Sequence, residues 1–359
     1  MAPKIREEVL NADGPDHCDL VQEAVSQPIE DPTKLPPRCR QLVWRNIILF
    51  IFLHLGSLYG IYCLFYSNYL TLLWACVTPY QFITSLFLAA VLYQIGALGV
   101  TAGAHRLWSH RTYKARLPVR IFLAMANSVS FQNDIFEWAR DHRVHHKYTD
   151  SHADPHNVNR GLFFAHMGWL LVRKHPDVIA KGKALDLSDL KSDPVVMFQR
   201  RFYIPSIMLL CFTIPTIVPH LLWGESIANA YFVCALLRYT LTLHATWCVN
   251  SLAHALGMKP YDRFIKPAEN MLVAFMAMGE GFHNYHHTFP QDYSTSEYGW
   301  KINSTTMFID FMAAIGQVEG RKKISKEIVM KRKERTDSWD TKADMKRESE
   351  LDVKNNYSL

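Results

Sequence analysis

Apolar and polar residues are sorted along this chain in blocks. From residue 46 to residue 105 there is no Asp, Glu, Lys or Arg. About 20 helical residues cross a bilayer, so this run predicts two spans joined by a short turn. We place them near Ile47–Tyr66 and Pro79–Val100, with Ser67-Asn68 and Thr78-Pro79 marking the turn. Residues 101–201 differ in kind: they are polar, and their two apolar pieces, Val119–Phe131 and Gly161–Val172, are too short to cross. Those pieces fit helices lying at the membrane surface or under a soluble cap. Phe202–Trp223 predicts a third span, kinked by Pro205, Pro215 and Pro219. Ser226–Asn250 predicts a fourth, interrupted by Arg238, whose charge is costly in lipid and must face the protein interior. The pattern is that of an all-α integral membrane protein, with four transmembrane helices beneath a cap built from residues 101–201 and 251–320. Residues 1–40 carry no sustained period and read as disordered or loosely attached, and residues 321–359 read as a charged tail.

Charge adds the orientation. Residues 101–201 hold 16 Lys plus Arg, whereas the turns at 67–78 and 219–228 hold none. By the positive-inside rule the cap and both termini are cytosolic. No apolar core lies within the first 40 residues, so no cleaved signal peptide is expected. The net charge of +6 is spread over loops and tail with no nucleic-acid stripe. The seven cysteines form no C-x-x-C pair, which argues against a disulfide framework and a thiolate metal site.

The chemistry lies in histidine. Asp141-His-Arg-Val-His-His146 and Gly279-Glu-Gly-Phe-His-Asn-Tyr-His-His287 each contain His-x-x-His-His, with imidazoles at i, i+3 and i+4. On an α-helix these positions share a face, so all three rings of a box can point at one centre. Two spans separate the boxes, and an even number returns the chain to the same side of the membrane. We read them as two halves of one metal site. His105 and His110 follow the second span; on a straight helix they lie about 140° apart and face one site only where the helix ends or bends. Asn250 and His254 follow the fourth span. Nine histidines exceed the needs of one ion, so two metals are the economical reading. Glu137, Asp141, Asp150, Asp154 and Glu280 stand near enough to hold the other ring nitrogens. His17, His54, His166, His175, His220 and His244 read as surface or packing residues, and so do His152 and His156. An imidazole shell suits Zn, Cu, Ni or Fe; against the unactivated C–H bonds of a lipid chain, iron with O2 has the needed chemistry and zinc does not.

His105-x4-His110, His142-x-x-His-His146, Asn250-x3-His254 and His283-x-x-His-His287, with the flanking words Gly99-Val-Thr-Ala-Gly-Ala-His105 and Glu137-Trp-Ala-Arg-Asp-His142, resemble the membrane fatty acyl-CoA desaturases. The likeness is to the animal stearoyl-CoA (Δ9) branch, insect members above all, and covers roughly residues 40–320. It implies a desaturase domain over 41–320 and two irons held by His105, His110, His142, His145, His146, His254, His283, His286 and His287, with Asn250 acting through water. It also implies that a cis double bond is formed in a long-chain fatty acyl-CoA, using O2 and electrons from NADH through cytochrome b5 reductase and cytochrome b5, in the endoplasmic reticulum. Carried over by position, Gln132, Trp138, Thr246 and Trp247 surround the bend of an acyl tunnel, and Tyr93 lies near its closed end. Asn133, Arg140, Asp141, Arg173 and Lys174 fall in the coenzyme A contact region. A di-iron membrane hydroxylase shares such boxes. A metal transporter would place its polar ligands inside the spans, near the midplane.

Overall fold

The structure is a computed structural model that describes residues 41–73 and 78–337. The expectations for residues 1–40 and for the tail beyond 337 lie outside the described residues. Among the described residues, four helices are long and apolar enough to cross a membrane: Trp44–Leu64, Thr84–Ser109, Tyr203–Trp223 and Ile227–Ala255. The first continues as helix to Leu73, so Ser67-Asn68 is helical, and the connection at 74–77 lies outside the described residues.

The second and fourth spans run further than their apolar stretches imply. The α-helix Thr78–Leu98 passes directly into a wholly buried π-helix, Gly99–Ser109. The helix Arg238–Ala255 likewise carries Asn250 and His254 on the same rod as the fourth span. Both spans therefore carry ligand-type side chains at the ends that meet the cap.

Proline and arginine together explain the third and fourth spans. Span three is α-helical at Tyr203–Ile207, π-helical at Met208–Thr213 and α-helical again at Ile214–Trp223. Pro215 has no N–H to offer the carbonyl of Cys211, four residues back. That oxygen instead accepts Arg238 Nη2 at 3.0 Å. Arg238 also donates to Cys234 O at 3.2 Å, Val129 O at 2.8 Å and Cys211 Sγ at 3.3 Å. The mid-span cation thus faces inward, as its cost in lipid demands, and is held by carbonyl dipoles from span three, span four and the Leu117–Ser130 helix.

The cap packs on these span ends. Leu117–Ser130 lies under it, with Leu117, Ile121 and Met125 exposed along one face. Gly161–Val172, expected as one surface helix, forms two short turns, Leu162–His166 and Gly168–Leu170. A two-residue antiparallel ladder, Lys114–Ala115 with Val318–Glu319, ties the two halves of the cap together. The entry to the first span is stitched to the cap: Val43 N donates to Leu171 O at 2.8 Å and Arg173 N to Gln41 O at 2.9 Å. The last of the described helices, Lys326–Asp337, lies within the stretch expected as tail; its Val329 is buried in one cluster with Tyr261, Tyr285 and Phe289.

Candidate metal centre

Local chemistry starts the Ile135–Lys147 helix: the Asp134 side chain accepts from Glu137 N at 3.0 Å, satisfying one of the free N–H groups of the first turn. Regular α-geometry then sets where the histidines point. At about 100° per residue, His142 and His146 are about 40° apart, whereas His145 and His146 are about 100° apart. The helix His283–Thr288 repeats this, with His283 and His287 together and His286 apart. Each box is therefore divided between two centres, which corrects the expectation that its three rings serve one.

The two divided boxes face each other, and the span ends complete them. His105, His110, His142, His146 and His286 form one group, and His145, His254, His283 and His287 a second. Within each group one ring nitrogen per residue lies within 4.8 Å of all the others. The π-helix answers the spacing of His105 and His110. Its i→i+5 bonding, seen as His110 N donating to His105 O at 3.1 Å, brings residues five apart over one another, with ring centroids at 4.9 Å.

The donor set fits a cation in each group. His105 and His286 approach through Nε2 at 3.0 Å, His110 and His142 at 2.8 Å, and His146 and His286 at 2.9 Å. In the second group His283 Nε2 lies 3.0 Å from His254 Nε2 and 3.1 Å from His287 Nε2. Nitrogens sharing an ion at bonds of about 2.1 Å in square or octahedral array lie about 3 Å apart. The Nδ1 atoms of His105, His145 and His254 lie 2.9, 2.9 and 3.3 Å from Glu280, Asp154 and Asp150. A proton held there leaves the Nε2 lone pair turned inward. His286 Nε2 meets two other nitrogens at once, more than one lone pair or one N–H can serve.

Electrostatics favour neutral rings. Burial, then the other imidazoles, push His110, His142, His146, His283, His286 and His287 well below the ordinary histidine value. His145 goes the other way: burial opposes its cation, but the charge and hydrogen bond of Asp154 together with the charge of Asp150 raise its pKa. Asp154 is in turn held down to about 2, its burial overcome by the His145 charge and hydrogen bond.

Of the five acidic residues near the boxes, three reach histidine. Glu137 and Asp141 instead meet Arg140, and Asp141 also pairs with Lys174. Trp138 stacks on His142 with centroids 4.9 Å apart, and Gln132 donates to Thr246 Oγ1 at 3.0 Å. Trp247 is buried against Phe50 and His166, and Tyr93 donates to Met276 O at 2.7 Å. Asn133 adopts a left-handed φ of 74° at the turn into the box helix, Arg173 is exposed beside Lys174, and Asn250 lies one helical turn before His254.

His156 lies 4.0 Å from Asp154, and burial, then the His145 charge, lower its pKa to about 3. His54, His244 and His166 join in a line through contacts of 3.2 and 2.9 Å. His152 is exposed, its ring against His175. Sequence reasoning missed Arg106. It is fully buried and donates to Glu280 at 3.0 and 2.8 Å, Tyr293 O at 3.0 Å, Thr306 Oγ1 at 2.9 Å and Asn303 Oδ1 at 3.2 Å. Its signal was position: it is the first charge after the uncharged run and sits next to a candidate ligand.

The family model for fatty acid desaturases matches residues 79–298, which include both boxes. A protein of Cyprinus carpio named acyl-CoA desaturase is 60% identical over 296 residues, 82% of this chain and 86% of that protein. The stearoyl-CoA desaturase of Homo sapiens is 54% identical over 322 residues, 89% of this chain and 86% of that protein. That of Capra hircus is 58% identical over 312 residues, 86% of this chain and 83% of that protein. Identity of this degree runs far beyond the histidine motifs, and the chain belongs to the fatty acid desaturase family.

Proposed function

We propose that this chain is an acyl-CoA desaturase acting on a saturated long-chain fatty acyl-CoA at the Δ9 position. The overall change removes one hydrogen from each of two adjacent methylenes. O2, two electrons and two protons are consumed, and two waters form. One observation carries the reading: nine histidines meet in two groups at the ends of apolar spans, in a chain 54% identical to a human stearoyl-CoA desaturase.

In this reading His105, His110, His142, His146 and His286 hold one iron. His145, His254, His283 and His287 hold the other, with Asn250 contributing through water. The iron pair, when bound, supplies O2 activation and the oxidation of C–H bonds. The chain supplies position. Glu280, Asp154 and Asp150 keep the Nδ1 protons of His105, His145 and His254 outward, so that each Nε2 stays a donor. Trp138 braces His142 from its face, and the Gln132–Thr246 bond links the box region to span four at the acyl bend, beside Trp247. Tyr93, tied to Met276 O, closes the far end. One methylene pair is thereby held against the oxidant and water is kept out.

Arg140, Asp141, Asn133, Arg173 and Lys174 recognise coenzyme A. Asp141 holds Arg140 and Lys174 side by side, a preformed cationic edge for phosphate. Electrons come from NADH through cytochrome b5 reductase and cytochrome b5. The protein resides in the endoplasmic reticulum membrane with both termini cytosolic, a topology that four spans permit. Expression in a desaturase-deficient yeast tests the whole reading. Growth without unsaturated supplement, with Δ9 double bonds mapped by mass spectrometry, supports it; hydroxylated products or unchanged lipids would sink it.

A further inference from the structure

The carboxylates behind the two histidine groups are not matched in charge. In the five-histidine group Glu280 is, among the described residues, the one carboxylate facing a ring, 2.9 Å from His105 Nδ1. Its other oxygen is held by Arg106 at 2.8 Å, and the two side chains are 0% and 7% exposed. The pair contributes a net charge near zero. In the four-histidine group two carboxylates face rings, Asp154 at His145 and Asp150 at His254, at 2.9 and 3.3 Å. Among the described residues their ion pairs are to histidine alone, since His156 at 4.0 Å is the one further partner of Asp154. Asp150 also acts through space on Lys259, without forming an ion pair with it.

We infer that the two candidate metal positions are electrostatically unequal, and that a divalent cation binds more tightly at the four-histidine position, filling it first and leaving it last. The inference rests on the two-metal reading proposed above. Two negative charges stand one imidazole away from that position, shielded from water, where a double positive charge feels each of them strongly. At the five-histidine position the equivalent charge is cancelled by Arg106. Donor count pulls the other way, five rings against four. The fifth ring is a neutral donor, however, and water can take its place, whereas nothing at the five-histidine position replaces two uncancelled carboxylates.

The test uses the full-length chain in detergent, loaded with Zn2+ and dialysed against increasing chelator, with bound metal and thermal midpoint read at each step. The unaltered chain should release two equivalents in two steps separated by tenfold or more in chelator concentration. His110→Ala should keep the late-leaving equivalent, and His254→Ala should lose it. Asp150→Asn and Asp154→Asn, which keep side-chain size, should each weaken that equivalent by about 10- to 100-fold, the range for such partners, and leave the early step in place. Two equivalents leaving together would overturn the inference, and so would a late step that survives His254→Ala. Fewer than two equivalents in the unaltered chain would overturn the two-metal reading, and the inference with it.

Discussion

Replacing Arg106 by Met should be among the most damaging single changes outside the histidines. The guanidinium is fully buried and makes five hydrogen bonds, two of them to Glu280. Removing one partner of a buried ion pair leaves the other charge uncompensated and costs about 3–5 kcal/mol. Tyr293 O loses its donor as well, adding about 1 kcal/mol where water cannot enter, whereas Asn303 Oδ1 keeps Thr306 N at 3.0 Å and Thr306 Oγ1 still donates to Ser294 O at 3.2 Å. Glu280→Gln alone leaves the guanidinium without its carboxylate and should cost about as much as losing the pair's other half. In the double variant neither charge is left alone, so its loss should fall short of the sum of the single losses by about 1–3 kcal/mol. The assay is thermal unfolding of the purified full chain in detergent. At about 2 °C per kcal/mol for a chain of this size, Glu280→Gln should lower the midpoint by about 6–10 °C and Arg106→Met by about 8–12 °C. Strict additivity of the two substitutions would refute the reasoning, because it would mean that Arg106 and Glu280 do not stabilise each other.

Three further outcomes follow from other contacts. Glu269 is buried, accepts from Tyr285 N at 2.7 Å, and has its pKa pushed by burial to about 8. A raised folded-state value stabilises the fold below the unfolded pKa, and that stability is lost as pH rises through about 8. The thermal midpoint should therefore fall between pH 6 and 9 more steeply in the native chain than in Glu269→Gln, and parallel profiles would contradict this. Ending the chain before Lys326 removes the buried Val329 and the hydrogen bonds that Arg332 and Thr336 donate to Tyr261 O. The loss should be about 3 kcal/mol, with earlier release of metal, because Tyr261 packs on Tyr285 of the second box helix at 5.0 Å; unchanged stability and metal content would show the helix to be dispensable. Gly99→Ala should cost about 1–3 kcal/mol or more in thermal stability, since the new Cβ would meet Asn127 N at 2.1 Å and Ala126 C at 2.2 Å.

Hydropathy made the architecture legible. A charge-free run is written into the sequence residue by residue, and the cost of exposing a backbone to lipid leaves helix as the structure for each span. The even span count likewise follows from local pattern and is enough to bring the boxes to one side. The histidines declared themselves for the same reason: the i, i+3, i+4 spacing is a property of one turn of helix and needs no knowledge of its neighbours. Arg238 could be assigned to the interior on cost alone. Its partners could not, because they are backbone carbonyls, and a carbonyl is present at every position of any sequence.

What only the tertiary structure decided is how these pieces divide the work. Sequence spacing tells which rings share a helix, but the split of each box between two centres depends on where the opposing helix and the two span ends come to rest. His105 and His110 converge because Gly99–Ser109 winds as a π-helix, buried along its whole length, a choice settled by packing rather than by local propensity. The pairing of Arg106 with Glu280 joins residues 174 apart. The sequence by itself therefore determined a four-span helical membrane protein with a histidine-rich cap. The grouping of rings and the carboxylates behind them came from contacts between distant segments, whose energies no local pattern encodes.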